Sequence, residues 1–245
     1  MISRSLIVFI PAGYPNKDKT VDFMLSANAG VIELGIPFSD PIADGEIIQR
    51  AYFSALSAGF KLKDVFWIVR KFREQSDTKL VLMSYYNPIY KVGIEDFIVN
   101  AVSAGVDAML VVDLPFDEAD EFVKVCRDFG MKNVFLAAPN TREERLRVID
   151  ELSEFVYLVS TYGVTGIRNK VSDLAFKALE RAKKICKKPL AVGFGISKRE
   201  HVLELFRAGA DGVVVGSAIV KLIEQFGEKA DDRIEEFTKA LTSET

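Results

Sequence analysis

The chain has 245 residues, 49% hydrophobic and 27% charged, a composition that excludes a disordered chain unable to bury enough apolar surface to offset its ordering entropy. Lys and Arg number 32 against 35 Asp and Glu, a net charge of −3, so no broad basic footprint points to nucleic acid. The single histidine, His201, excludes chemistry built on histidine pairs and leaves proton transfer to carboxylates, hydroxyls or lysines.

Met1 to Leu6 carries one basic residue, and the short apolar run after it ends at Pro11. Without a long apolar stretch or a small-residue cleavage site it does not read as a signal peptide. No apolar run reaches the ~18 residues of a membrane span. Short apolar runs then recur at a spacing of roughly 20–30 residues, as strand–helix units do. They are Leu6–Ile10, Val31–Ile36, Leu80–Tyr85, Ala108–Leu114, Val134–Ala138, Phe155–Ser160, Leu190–Phe194 and Gly212–Gly216. Their Val, Ile, Leu and Phe content suits strands covered on both faces. Charged segments between them carry apolar stripes at helical spacing: Phe66, Val69 and Phe72; Phe97, Ile98, Ala101 and Val102; Phe122, Val123 and Cys126. Gly30, Gly105, Gly130 and Gly209 read as helix ends just before the next strand. Cys126 and Cys186 fit no metal or redox spacing and read as reduced, packed thiols of a cytoplasmic protein. Gly227 to Thr245 reads as a charged final helix that frays.

Eight strands alternating with helices, with no linker or composition shift, predict an α/β fold, one (β/α)8 TIM barrel domain over residues 1–245. An open doubly wound sheet is the competitor, but the first run is followed by Pro11-Ala12-Gly13-Tyr14-Pro15 and not by GxGxxG. In a barrel the chemistry sits at the C-terminal strand ends. Glu33 lies inside the second apolar run, where a buried carboxylate is paired, solvated from the barrel mouth or partly protonated; a structural salt bridge is the plain alternative. Asp44, in the following loop, reads either as the N-cap of the segment from Glu46 or as a second carboxylate facing Glu33 across a ligand. The glycine turns Gly163-Val164-Thr165-Gly166, Gly193-Phe194-Gly195 and Gly216-Ser217, after the sixth, seventh and eighth runs, suit a phosphate. No lysine lies within the runs or at their C-terminal ends, which argues against Schiff-base aldol chemistry. No ligand cluster predicts a metal, although Glu33 and Asp113 suit sharing a hard cation. His201, in a charged segment, reads as a helix-surface residue.

Ile32-Glu33-Leu34-Gly35-Ile36-Pro37-Phe38-Ser39-Asp40-Pro41-Ile42-Ala43-Asp44-Gly45 resembles the signature of the tryptophan synthase α subunit family. Tyr85-Tyr86-Asn87-Pro88, Val112-Asp113-Leu114-Pro115, Ala138-Pro139-Asn140, Tyr157-Leu158-Val159-Ser160 and the glycine motifs extend the resemblance over nearly the whole chain. The long motif is specific; the glycine motifs are shared with other phosphate-binding barrels.

The resemblance implies retro-aldol cleavage of indole-3-glycerol phosphate to indole and glyceraldehyde 3-phosphate. It implies Glu33 as acid and base, Asp44 as acceptor for the indole N–H, and Tyr157 as a secondary catalytic candidate. Tyr157 is equally readable as a buried strand tyrosine. By the same resemblance Gly166, Gly195, Gly216 and Ser217 hold the phosphate. Phe9, Met83, Leu110, Leu136 and Phe194 wall an indole slot, each also explicable as barrel core, and Thr165 meets Asp44 on loop closure. It further implies a pyridoxal-phosphate-dependent β subunit in an αββα complex that receives indole through a tunnel, with Pro37, Phe38, Asp40 and Asn87 at the interface. No cofactor, metal, nucleic acid or membrane is expected for this chain. Two departures stand out. The leading helix of many family members is missing, so something else must cover the barrel bottom, and Pro11 and Tyr14 stand where many members have Thr and Asp. The alternatives are another phosphate-binding barrel isomerase or synthase, and a mainly regulatory barrel that activates a β subunit.

Overall fold

In the computed structural model, which describes residues 1–159, 173–193 and 195–242, eight parallel strands close into a barrel in sequence order. They are β1 (Ser5–Pro11), β2 (Val31–Gly35), β3 (Lys79–Ser84), β4 (Ala108–Val111), β5 (Lys132–Ala137), β6 (Val156–Val159), β7 (Leu190–Gly193) and β8 (Gly212–Val215). The helices are α1 (Lys17–Ser26), α2 (Glu46–Ser57), α3 (Leu62–Arg73), α4 (Tyr86–Val92), α5 (Ile94–Ala104), α6 (Asp120–Asp128), α7 (Glu143–Leu152), α8 (Asp173–Ile185), α9 (Arg199–Ala208), α10 (Ser217–Phe226) and α11 (Asp231–Thr242). The (β/α)8 barrel read from the sequence is the observed fold, with shifted ends. β4 stops at Val111 and not at Leu114, because the chain turns there and Asp113 accepts the Tyr86 N–H at 2.7 Å.

Strand alternation divides the core in two. Ile7, Phe9, Val31, Val81, Leu110, Val134 and Val214 fill the barrel interior. Val8, Ile10, Ile32, Leu34, Leu82 and Phe135 face the helices, against Phe23, Phe72 and Phe97. The expected helix stripes are buried, except that Val102 is exposed. Ile2 belongs to the interior cluster. A Cβ on Gly212 would lie 3.0 Å from Cδ1 of both Ile2 and Ile7, so Ile2 covers the bottom of the barrel. α11 is packed through Ile234, Thr238 and Leu241, all buried, so the expected fraying does not reach the described part of that helix. Among the described residues no helix is long and apolar enough to cross a membrane.

Gly105, Gly130 and Gly209 follow helix ends with φ of 103°, 74° and 96°, the left-handed conformation that terminates a helix cheaply only at glycine. Gly30 is different: α1 is capped three residues earlier by Ala27, and Gly30 is small because a Cβ there would meet Ser5 Cβ at 2.9 Å. Two of these turns lead into an identical clasp. After Gly105, Asp107 donates its N–H to Leu80 O and accepts the Leu80 N–H on its carboxylate. After Gly209, Asp211 does the same with Leu190. Each clasp locks the start of one strand to the next.

Candidate active site

Glu33 sits in β2 between Phe9 of β1 and Val81 of β3, on the inward face. It is 2% exposed, and its Oε2 has no partner among the described residues. Burial, and then the neighbouring Asp44 charge, push its carboxyl from 4.5 up to about 8, because both disfavour the ionised form. No salt bridge holds Glu33 among the described residues, so the structural-pair alternative fails there, and the group is protonated at neutral pH.

Asp44 ends the loop between β2 and α2 and is 3% exposed. The Tyr85 hydroxyl, placed directly after β3, donates to Asp44 Oδ2 at 2.6 Å and accepts the Ala43 N–H at 3.0 Å. Burial raises the Asp44 carboxyl to about 6, and the Tyr85 hydrogen bond opposes the rise. At neutral pH Asp44 is mostly ionised. The N-cap alternative is corrected: Gly45 is the N-cap of α2, with no side-chain cap bond, and the Asp44 carboxylate meets Tyr85 instead.

Both carboxylates line a cavity of about 110 Å³ in the barrel mouth. Phe9, Met83, Leu110 and Leu136 supply apolar walls, Tyr157 one side, and Gly195, Gly216 and Ser217 the β7–β8 side. Gly195 has φ +64°, and Gly216 is the N-cap of α10, so the free N–H groups of that helix begin at the cavity rim. Thr165, Gly166 and Phe194 lie outside the described residues. The Tyr157 ring lies across Gly193, where a Cβ would come within 2.8 Å of Cε1. Burial raises its phenol well above 10, and Glu33 and then Asp44 add to this. Gly35 allows a second close approach: a Cβ there would fall 2.3 Å from the Tyr52 hydroxyl and 2.5 Å from the Phe9 ring.

Tyr85, Tyr52, Ile48, Val112, Val159 and Val214 are the residues at or beside the site that the sequence reading did not single out. Strand alternation offers a signal for Val214, and position immediately after a strand one for Tyr85 and Val112. Tyr52, on α2, is buried with an unpartnered hydroxyl among the described residues and offers none. His201 is corrected: it is 6% exposed on the inner side of α9, and its Nδ1 has no partner among the described residues. Asp113 is exposed and bonded to Tyr86, away from the Glu33 cavity lining. Among the described residues no group of three His, Cys, Asp or Glu side chains is placed to hold a metal ion. Two lysines do open strands, Lys79 in β3 and Lys132 in β5, but at the N-terminal end, remote from the cavity. Phe38 stacks on Tyr85 at 5.0 Å. Asp40 and Asn87 are exposed beside it, whereas Pro37 is buried and presents almost no surface. Pro11 is buried opposite Gly35, and Tyr14 is partly exposed.

A family model described as tryptophan synthase alpha chain matches residues 2–244. The tryptophan synthase alpha chain of Archaeoglobus fulgidus is 63% identical over 246 residues, covering 99% of each chain. That of Pyrococcus furiosus is 53% identical over 240 residues, covering 97% of each. A crystal structure of the Pyrococcus furiosus tryptophan synthase complex superposes with a TM-score of 0.93 at 51% identity, covering 98% of each chain. On this match, at full length and with the same barrel, the chain belongs to the tryptophan synthase alpha chain family.

Proposed function

We propose that this protein cleaves indole-3-glycerol phosphate to indole and glyceraldehyde 3-phosphate. The observation that carries this reading is a pair of buried carboxylates on one apolar cavity whose proton affinities are split, Glu33 at about 8 and Asp44 at about 6. Such a pair divides into an acid and a base. Glu33, protonated at rest, gives its proton to indole C3. The ring then carries positive charge at nitrogen, and the Asp44 carboxylate accepts the N–H and stabilises that charge. The Glu33 carboxylate next takes the proton of the adjacent glycerol hydroxyl. The carbon–carbon bond breaks, its electron pair returns to the ring, and the hydroxyl carbon becomes the aldehyde. The proton taken from the hydroxyl replaces the one given to C3, so Glu33 ends as it began and no cofactor is consumed.

Phe9, Met83, Leu110, Leu136 and Phe194 hold the ring, with Tyr157 against Glu33. Gly166, Gly195, Gly216 and Ser217 hold the phosphate, supported by the N-terminus of α10, which favours an anion. Thr165 closes on Asp44. The 245 residues act as one domain, in the cytoplasm. The partner is a pyridoxal-phosphate-dependent β subunit in an αββα assembly; a solved Pyrococcus furiosus structure concerns the α2β2 complex of tryptophan synthase. Phe38, Asp40 and Asn87 are the surface offered to that subunit, and Pro37 supports it from beneath.

The test is indole release from indole-3-glycerol phosphate by wild type and Glu33→Gln side by side. The variant is expected to lose about 10³-fold or more in kcat, while affinity for a phosphate ligand stays within about tenfold. Full turnover by Glu33→Gln removes the acid–base assignment.

A further inference from the structure

β4 and β5 are hydrogen-bonded only as far as Leu110 and Val134. Above that point β4 remains paired with β3 up to Val111, and β5 with β6 from Phe135 to Ala137. Each strand follows its other neighbour, so the barrel wall parts between them near its C-terminal rim. Behind the parting lies a second cavity, of about 260 Å³, between these strand ends and α7. Val112 and Leu136 line both cavities. Both are partly exposed, while Val134 just below is buried, as expected of side chains standing in the gap with space on either side. Behind them the second cavity is apolar at Phe135 and Ile149. Its outer end is closed by Arg145, which pairs with Asp117 and stacks 4.4 Å from the Phe116 ring centroid.

We propose that Val112 and Leu136 are a partition that determines substrate specificity: they confine the slot to an unsubstituted indole ring, and their removal opens the second cavity to an apolar substituent on the benzo ring. This rests on the reading that the first cavity holds indole. The partition is two aliphatic side chains with no hydrogen bond to either cavity, so its only means of discrimination is volume. Discrimination of that kind is worth roughly 10–200-fold per methylene-sized misfit.

The experiment measures condensation of indole and of its 4-, 5-, 6- and 7-phenyl derivatives with glyceraldehyde 3-phosphate. It uses the full chain as wild type, Leu136→Ala, Leu136→Val and Val112→Ala. One positional isomer is expected to gain at least about tenfold in kcat/KM relative to indole in Leu136→Ala. Val112→Ala is expected to favour the same isomer, and Leu136→Val to do so less. Adding Ile149→Phe to Leu136→Ala, which fills the second cavity, should cancel the gain. An unchanged ratio in all folded variants overturns the proposal, as does an equal gain for every isomer, which reports general loosening. Should wild type fail to condense indole itself, the function reading fails, and calorimetric titration with the same five indoles still decides the partition: one isomer gaining affinity upholds it, and none gaining overturns it. Leu136→Val and Val112→Ala decide the matter if Leu136→Ala does not fold.

Discussion

At the residue scale, the site depends on Glu33 being neutral while Asp44 is charged. With Asp44 ionised above about 6 and Glu33 protonated below about 8, kcat/KM is expected to be bell-shaped with its maximum near pH 7, read from initial rates across pH 5–9. Tyr85→Phe removes the hydrogen bond that holds the Asp44 carboxyl down. It should move the acid limb to higher pH and lower kcat/KM by about tenfold, while leaving the alkaline limb in place. The neutral carboxyl also has a stability consequence. The folded pKa of Glu33 is raised, so the stability it contributes is complete below pH 4.5 and is lost as pH rises through about 8. Glu33→Gln, which cannot ionise, should therefore melt on the order of 5 °C or more above wild type at pH 8 and close to it at pH 4.5, by calorimetry. Glu33 and Asp44 were legible because a lone acid in an apolar run and an acid after a strand are visible locally. Tyr85 was not, since its partner is 41 residues away in sequence and only barrel closure brings β2 and β3 side by side.

At the element scale, the strand–helix alternation was legible because strands covered on both faces are runs of apolar residues. Their ends were less so, since an end is set by where pairing stops. β4 ends where Asp113 engages Tyr86, a bond no local pattern announces. His201 illustrates the opposite error. Its charged sequence neighbours suggest the surface, yet Leu205, four residues on, and the adjacent Val202 are both buried, and helical spacing takes His201 inward with them. The clasp at Asp107 links several elements: its carboxylate accepts Leu80 N–H, pairs with Arg73 at 2.6 Å and with Lys79 at 3.0 Å, while Arg73 also donates to the Gly105 and Thr78 carbonyls. Asp107→Ala leaves a half-buried guanidinium and a strand N–H without their acceptor. It should cost about 3 kcal/mol in urea unfolding, and Asp107→Asn, which keeps an acceptor, about half of that.

At the scale of the whole molecule, a barrel closed by β8 pairing with β1 has no strand edge from which to unravel, and one interior cluster runs from Ile2 at the bottom to Met83 at the mouth. A single cooperative unfolding transition is expected, with agreement between calorimetric and van't Hoff enthalpies as its check. Sparse Asn and Gln beside abundant Lys, Glu and Arg place the expected midpoint above the roughly 45–65 °C of mesophile domains. The two clasps carry a further consequence. Ala104-Gly105-Val106-Asp107 precedes β4 and Ala208-Gly209-Ala210-Asp211 precedes β8, four strands and so half a turn of the barrel apart. The same half-turn carries Leu110 onto Val214 and Val112 onto Gly216, and all four line the cavity. The mouth is thus an approximate twofold figure in which one pair of equivalent positions has diverged. A valine side chain on one side presents an apolar wall, and its absence on the other exposes a helix N-terminus. The two unlike ends of the site, one suited to a ring and one to an anion, are one local structure used twice.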